Sequence, residues 1–185
     1  MTDLSDERMA LISILAEHSP ANRIGRTQVM KFLYFLQVLR DVPLGYRFTL
    51  YSYGPFDSDV LADLANAEGL GVVDSTVIQF SGGYGYEIRP GRNADWLRER
   101  AARFLQRYRP DVDWVMEKFG SLKSGHLELV STIVYVDREA ADNGEELSLD
   151  EIAEIVHEIK PHFSHDEIMN FARWLNGQDL LEAAA

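Results

Sequence analysis

The hydrophobic and polar positions divide the chain into short amphipathic segments, with one exception. Between residues 28 and 39 only Gln28, Lys31 and Gln37 are polar, while Val29, Met30, Phe32, Leu33, Tyr34, Phe35, Leu36, Val38 and Leu39 are apolar or aromatic. A surface helix shows one apolar stripe, so a segment that is apolar nearly all round predicts a central helix packed on most sides. Gly25 or Thr27 is its expected cap. Ahead of it, Met9, Leu11, Ile12 and Leu15 predict a first helix from Ser5 or Asp6 to Glu17, stopped by Pro20. Asp6 and Glu7 fall in its first turn, where the helix dipole favours acids.

Asp41-Val42-Pro43-Leu44-Gly45 reads as a loop. Arg47–Tyr53, rich in aromatic and β-branched residues, predicts a strand that ends at Gly54-Pro55. Asp57 is a good N-cap for a third helix reaching Ala67, with Val60, Leu61 and Leu64 inward and Ser58, Asp59, Asp63 and Asn66 outward. Gly69 and Gly71 close it. Residues 76–80 and 84–88 flank Ser81-Gly82-Gly83, a hairpin by its turn chemistry. Beyond Gly91 the pattern is helical: 94–108, broken by Pro110, then 111–119, 125–141, 149–159 and 165–176. The last two open on Ser148…Glu151 and Ser164…Glu167, both matching a capping box. Residues 182–185 are expected to fray. The order helix, helix, strand, helix, hairpin is close to the plan of a winged helix with the hairpin as wing. The expected fold class is therefore α+β and mostly helical. A winged-helix-like domain would span 1–91 and a helical bundle 92–179 would pack on it, as two domains or one compact unit.

Charge changes this picture more than composition does. Residues 1–110 hold 13 Lys+Arg against 13 Asp+Glu, and residues 111–185 hold 5 against 17, so the whole net charge of −12 falls in the C-terminal part. A field of that sign repels phosphate backbones. The absence of cysteine excludes disulfides and thiolate chemistry. No apolar run approaches the roughly 20 residues of a membrane helix, and the acidic N-terminus has no signal-peptide pattern. A cytoplasmic protein that does not enter a membrane is expected.

Candidate chemistry is sparse. A winged helix invites DNA binding, but the helix before the wing exposes Asp59, Asp63 and Glu68, and no Lys or Arg occurs between Pro55 and Ile88. Each phosphate contact needs a cation, so nucleic-acid binding is disfavoured. Arg100, Arg103 and Arg107 recur at helical spacing as a candidate anion-binding face; they read equally as a solvated face or as pairing with acids of the same chain. His157, Glu158, His162 and His165 have the materials of a metal site, yet two histidines on one helix face should stand at i and i+4. Here the second is at i+5, across Pro161, so no metal or other cofactor is expected. No nucleophile elbow, phosphate loop or dinucleotide fingerprint is present, and no enzyme activity is expected. Tyr34, Tyr51, Tyr53 and Phe56 form either a partner-binding aromatic patch or ordinary core.

Gly25-Arg26-Thr27 and Lys31-Phe32-Leu33-Tyr34, with Tyr53-Gly54-Pro55-Phe56 opening a helix, resemble the motifs of the YwgA-like bacterial and archaeal proteins. More distantly, they are similar to the Panacea domain of SocA-type antitoxins. Leu127–Ile133 and Lys160-Pro161-His162-Phe163-Ser164 extend the first resemblance; the hairpin and the acidic C-terminal helices depart from the Panacea pattern. The resemblance implies a non-enzymatic interaction module, antitoxin-like or adaptor-like. Its partner would be a protein such as a toxin from a neighbouring gene, bound through the winged helix, the acidic helices or both. A winged-helix DNA-binding regulator is the alternative, and a homo-oligomer is compatible with either. Arg26 and Lys31, charges that a core does not need, together with Tyr34, Tyr53 and Phe56, are the candidate partner-binding residues.

Overall fold

A computed structural model describes residues 3–19, 23–80 and 82–184, the Phe80 side chain excepted. These residues form a mostly helical α+β structure. The helices are α1 (Leu4–His18), α2 (Arg26–Leu39), α3 (Ser58–Gly69), α4 (Ala94–Arg100), α5 (Ala102–Phe119), α6 (Ser124–Asp142), α7 (Leu149–Ile159) and α8 (His165–Asn176). Strands β1 (Thr49–Tyr51) and β2 (Gly54–Phe56) form one antiparallel pair, and β3 (Val73–Phe80) and β4 (Gly83–Pro90) another. No described helix is long and apolar enough to cross a membrane.

The chain condenses into two compact units, Met1–Phe48 with Asp57–Leu122, and Thr49–Phe56 with Lys123–Ala185. Contacts thus divide the chain elsewhere than at residue 91. Helices α4 and α5 pack against α1 in the first unit, and the β1–β2 hairpin belongs with the C-terminal helices.

In the first unit α2 is buried from Val29 to Leu36, as its all-round apolarity predicts. The hub, however, is α1, which touches α2, α3, α4, α5 and β4. Its buried run, Met9 to Ala16, includes Ala10, Ser13 and Ala16, small residues that let neighbours approach the side opposite Leu11 and Leu15. Ser13 Oγ donates to the Ala10 carbonyl (2.7 Å) and accepts from Arg98 Nε (2.9 Å), which ties α4 to α1. Phe35 stacks on Phe119 of α5, ring centroids 4.2 Å apart. The Pro20 stop and Ser81 of the turn lie outside the described residues.

Three expectations for this unit are corrected. Asp63 points inward and Leu61 outward: Asp63 is buried and Leu61 exposed, because Ser5 and Arg8 of α1 and Tyr46 of the loop before β1 satisfy the carboxylate. Pro110 lies inside α5. The missing N–H costs roughly 3 kcal/mol in a helix interior, and burial of Phe104, Val112, Val115 and Phe119 on both sides of it offsets that cost. The helical run breaks instead at Ala101, between α4 and α5. The cap of α3 is as expected, with Asp57 Oδ1 accepting from the Asp59 amide (2.8 Å).

In the second unit α6 packs against β2, α7 and α8. Its β-branched run is helical despite weak propensity, because Val130, Thr132, Ile133 and Val134 are all fully buried and packing decides. Helices α7 and α8 have the expected bounds. Ser148 and Glu151 form the reciprocal capping box, whereas Ser164 accepts from the Glu167 amide but Glu167 does not reach back; its carboxylate lies 3.7 Å from His126 instead. The single strand expected over 47–53 is a miniature hairpin in which Gly54-Pro55-Phe56 forms the second strand. The tail does not fray through Ala184. Asp137, fully buried, accepts the amides of Glu182 (2.8 Å) and Ala183 (2.9 Å), and Leu147 bridges Ala184. Ala185 lies outside the described residues.

Candidate functional site

The turn between β1 and β2 in the second unit is built by residues from three distant parts of the sequence. Thr49, Leu50 and Tyr51 pair with Phe56, Pro55 and Gly54, which leaves Ser52 and Tyr53 as the turn. Gly54 adopts φ +84, a region side chains disfavour, and a Cβ there would meet Thr132 Oγ1 at 3.0 Å, Ser131 Oγ at 3.1 Å and the Glu128 carbonyl at 3.3 Å. Those hydroxyls are fixed, since both donate to the Glu128 carbonyl (3.0 and 2.8 Å). The turn therefore lies directly on α6.

Lys160 fixes it from below. At the end of α7, ahead of Pro161, the lysine is 2% exposed. Its Nζ donates to Glu128 Oε1 at 2.7 Å and to the Ser52 carbonyl. A buried ammonium requires such partners, because desolvation of an unpaired charge is expensive. His162 Nε2 stands 3.8 Å from the same Glu128 oxygen, at the solvent side. Burial, then the nearby Glu139 charge, raises the pKa of the Tyr135 phenol on α6 above the usual tyrosine value. Held in this way, the hairpin presents Tyr51 (66% exposed) and Tyr53 (72%) to solvent, with the Tyr51 ring 5.6 Å from that of Phe56.

The first unit contains a parallel device with a different outcome. Arg8 Nε donates to the Leu44 carbonyl (2.6 Å), its guanidinium lies 4.1 Å over the Tyr46 ring, and Nη1 is 3.4 Å from Asp63. Asp63 also accepts from the Tyr46 hydroxyl (2.9 Å) and from Ser5 (3.4 Å). Burial raises the Asp63 pKa, against the lowering effect of these donors, and burial together with the Asp63 charge raises that of Tyr46. Here the pinned loop is interior: Val42, Leu44 and Tyr46 are buried.

The five residues singled out in the sequence for partner binding lie in different surroundings. Lys31 and Tyr34 are buried in the first unit, each 2% exposed. Arg26 is half-buried, with its guanidinium 3.3 Å over the Tyr86 ring. Tyr53 and Phe56 lie in the second unit, and of the five only Tyr53 is broadly exposed. Arg100 ends α4 and pairs with Asp6 (3.0 Å), while Arg103 and Arg107 are exposed on α5, so the three span two helices. The histidines disperse: His157 Nδ1 bonds the Phe163 carbonyl (2.9 Å), His162 faces Glu128, and His165 lines an open polar depression with Asp150, Asp166 and Arg173.

Sequence reasoning missed Glu128 and Lys160, which meet across 32 residues of chain. The available signal was a lone carboxylate within the apolar run Leu127–Val134. No protein-family model matches the sequence, and no curated protein sequence matches it.

Proposed function

We propose that the protein is a non-enzymatic interaction module of the antitoxin or adaptor kind, and that it docks a protein partner on the pinned β1–β2 turn. The observation that carries this reading is the exposure of Tyr51, at the end of β1, and Tyr53, in the turn, on a hairpin immobilised by Lys160, Glu128 and Gly54. Tyrosines combine large apolar area with a polar tip and few rotatable bonds, so a fixed pair loses little entropy on binding. The charge of the second unit, 4 Lys+Arg against 14 Asp+Glu, selects a basic partner surface by complementarity. In this reading the first unit is scaffold. A DNA-reading role has less support, because α3 exposes Ser58, Asp59, Asn66 and Glu68, and Arg100 is engaged with Asp6.

The test is affinity purification from the protein's own host at moderate salt. The unaltered protein should recover a stoichiometric basic partner, such as the product of an adjacent gene, and the Tyr51→Ala/Tyr53→Ala double variant should lose it while unfolding at nearly the same temperature. Recovery of no partner, or of the same partner by the double variant, would overturn the proposal.

A further inference from the structure

The distal half of the β3–β4 hairpin differs from the rest of the surface. Although 26% of the residues in the chain are charged, none lies between Ser75 and Tyr86. Within this stretch Val77 (61%), Ile78 (40%) and Tyr84 (70%) are exposed. The outer side of β4 is covered at its base, where Ile24 and Ile88 exchange backbone hydrogen bonds of 2.9 and 2.8 Å. The outer side of β3 is not covered in this way: β3 pairs only with β4, and residues 74–79 make no other backbone–backbone hydrogen bond among the described residues.

Proteins blunt such edges with lysine, proline, bulges or a covering element, because an open edge templates further pairing. Strand β3 has no lysine, proline or bulge, and although α3 packs against it, residues 76–79 are exposed. It contains no Lys, Arg or Pro, and its register with β4 runs one to one from Val73↔Pro90 to Phe80↔Gly83 without a bulge. Its only charge is Asp74, near its start.

We propose that the free edge of β3 pairs with β3 of a second copy of this chain, antiparallel about a two-fold axis at Val77, to form a four-stranded sheet ordered β4-β3-β3-β4. An isologous contact requires a self-complementary strand, and this register supplies one. Val77 faces Val77 of the other copy, Thr76 faces Ile78, Ser75 faces Gln79 and Asp74 faces Phe80. Cross-strand β-branched pairs stabilise an antiparallel sheet. The two Asp74 carboxylates fall at opposite ends, about 20 Å apart at ~3.4 Å per residue, well beyond the roughly 8 Å screening length at physiological salt. The strand thus meets its copy at the part of each acidic molecule where like charges do not oppose. This contact is independent of the β1–β2 turn.

Sedimentation equilibrium of the full chain tests the proposal. A concentration-dependent dimer is expected, with association at least tenfold weaker in Val77→Lys, which sets two ammonium groups against each other at the axis. Since Val77 is exposed, this substitution should leave the fold intact, and a second variant does not depend on that. Because the chain has no cysteine, Val77→Cys introduces a single thiol. Opposed Cβ atoms about 4.5–5.5 Å apart approach disulfide geometry, so mild oxidation should give a covalent dimer. Tyr84→Cys, equally exposed but on β4, should not crosslink. A protein that is monomeric throughout, undiminished dimerisation in Val77→Lys, or crosslinking of Tyr84→Cys as ready as that of Val77→Cys would overturn the proposal. An uncharged strand of another protein on this edge would appear as the first of these results.

Discussion

Each unit contains a cation that bridges a carboxylate and a loop carbonyl, and the two devices end differently. In the first unit Arg8 joins Asp63 to the Leu44 carbonyl, and the loop that it holds turns Val42, Leu44 and Tyr46 into the core. In the second unit Lys160 joins Glu128 to the Ser52 carbonyl, and the turn that it holds leaves Tyr51 and Tyr53 in solvent. The same chemistry closes a core in one unit and rigidifies a surface in the other. A pinned loop full of buried side chains is explained by stability alone; a pinned loop that exposes two aromatic rings is not, because a rigid exposed turn adds little to folding. That difference is what makes the second turn the candidate interface.

The largest expected effect separates the two cations. Lys160→Met leaves Glu128 largely buried without its ammonium, and removal of one partner of a buried pair costs about 3 kcal/mol or more. Urea unfolding should show it, and adding Glu128→Gln should recover a large part of the loss. Arg8→Met should cost less, about 2 kcal/mol, because Asp63 retains the Tyr46 and Ser5 hydroxyls. Equal losses would mean that the two devices are not distinguished by how much their carboxylates depend on a cation.

A pH titration sharpens the comparison next. Asp63 has its folded pKa raised above the unfolded value, so the folded state binds the proton more tightly. Its contribution to stability is present below the unfolded pKa and is lost as pH rises from there through the folded pKa. The stability of the protein relative to Asp63→Asn should therefore fall as pH rises from about 4, and should level off once the folded carboxyl has ionised. A difference that grows with pH over that window would contradict the burial of Asp63. The smallest effect on folding belongs to the tyrosines. The Tyr51→Ala/Tyr53→Ala double variant should stay within about 0.5 kcal/mol of the parent, as surface substitutions do, while partner recovery is lost.

Local rules made much of this architecture legible. The bounds of α7 and α8 follow from Ser148, Ser164, Pro161 and Gly177, and the Asp57 cap and the β3–β4 hairpin follow from chemistry contained within a few residues. The buried helix α2 was readable because its apolarity leaves no polar face. What could not be read depends on partners far away in sequence. Asp63 looks like an outward helix position until Arg8 and Tyr46 reach it, and Lys160 looks like a helix-end cation until Glu128 lies beneath it. The C-terminal tail reads as frayed until Asp137 accepts its amides across 45 residues of chain. Pro110 reads as a helix break for a related reason: the packing that holds α5 together on both sides of it is tertiary.

Hydrogen exchange on the protein with and without the recovered partner tests the central claim most directly. Binding on the pinned turn predicts that amides of residues 50–54 gain protection in the complex while those of residues 42–46, held by Arg8 in the interior of the first unit, keep the rates of the free protein. Unchanged exchange at residues 50–54, with protection appearing elsewhere, would contradict it.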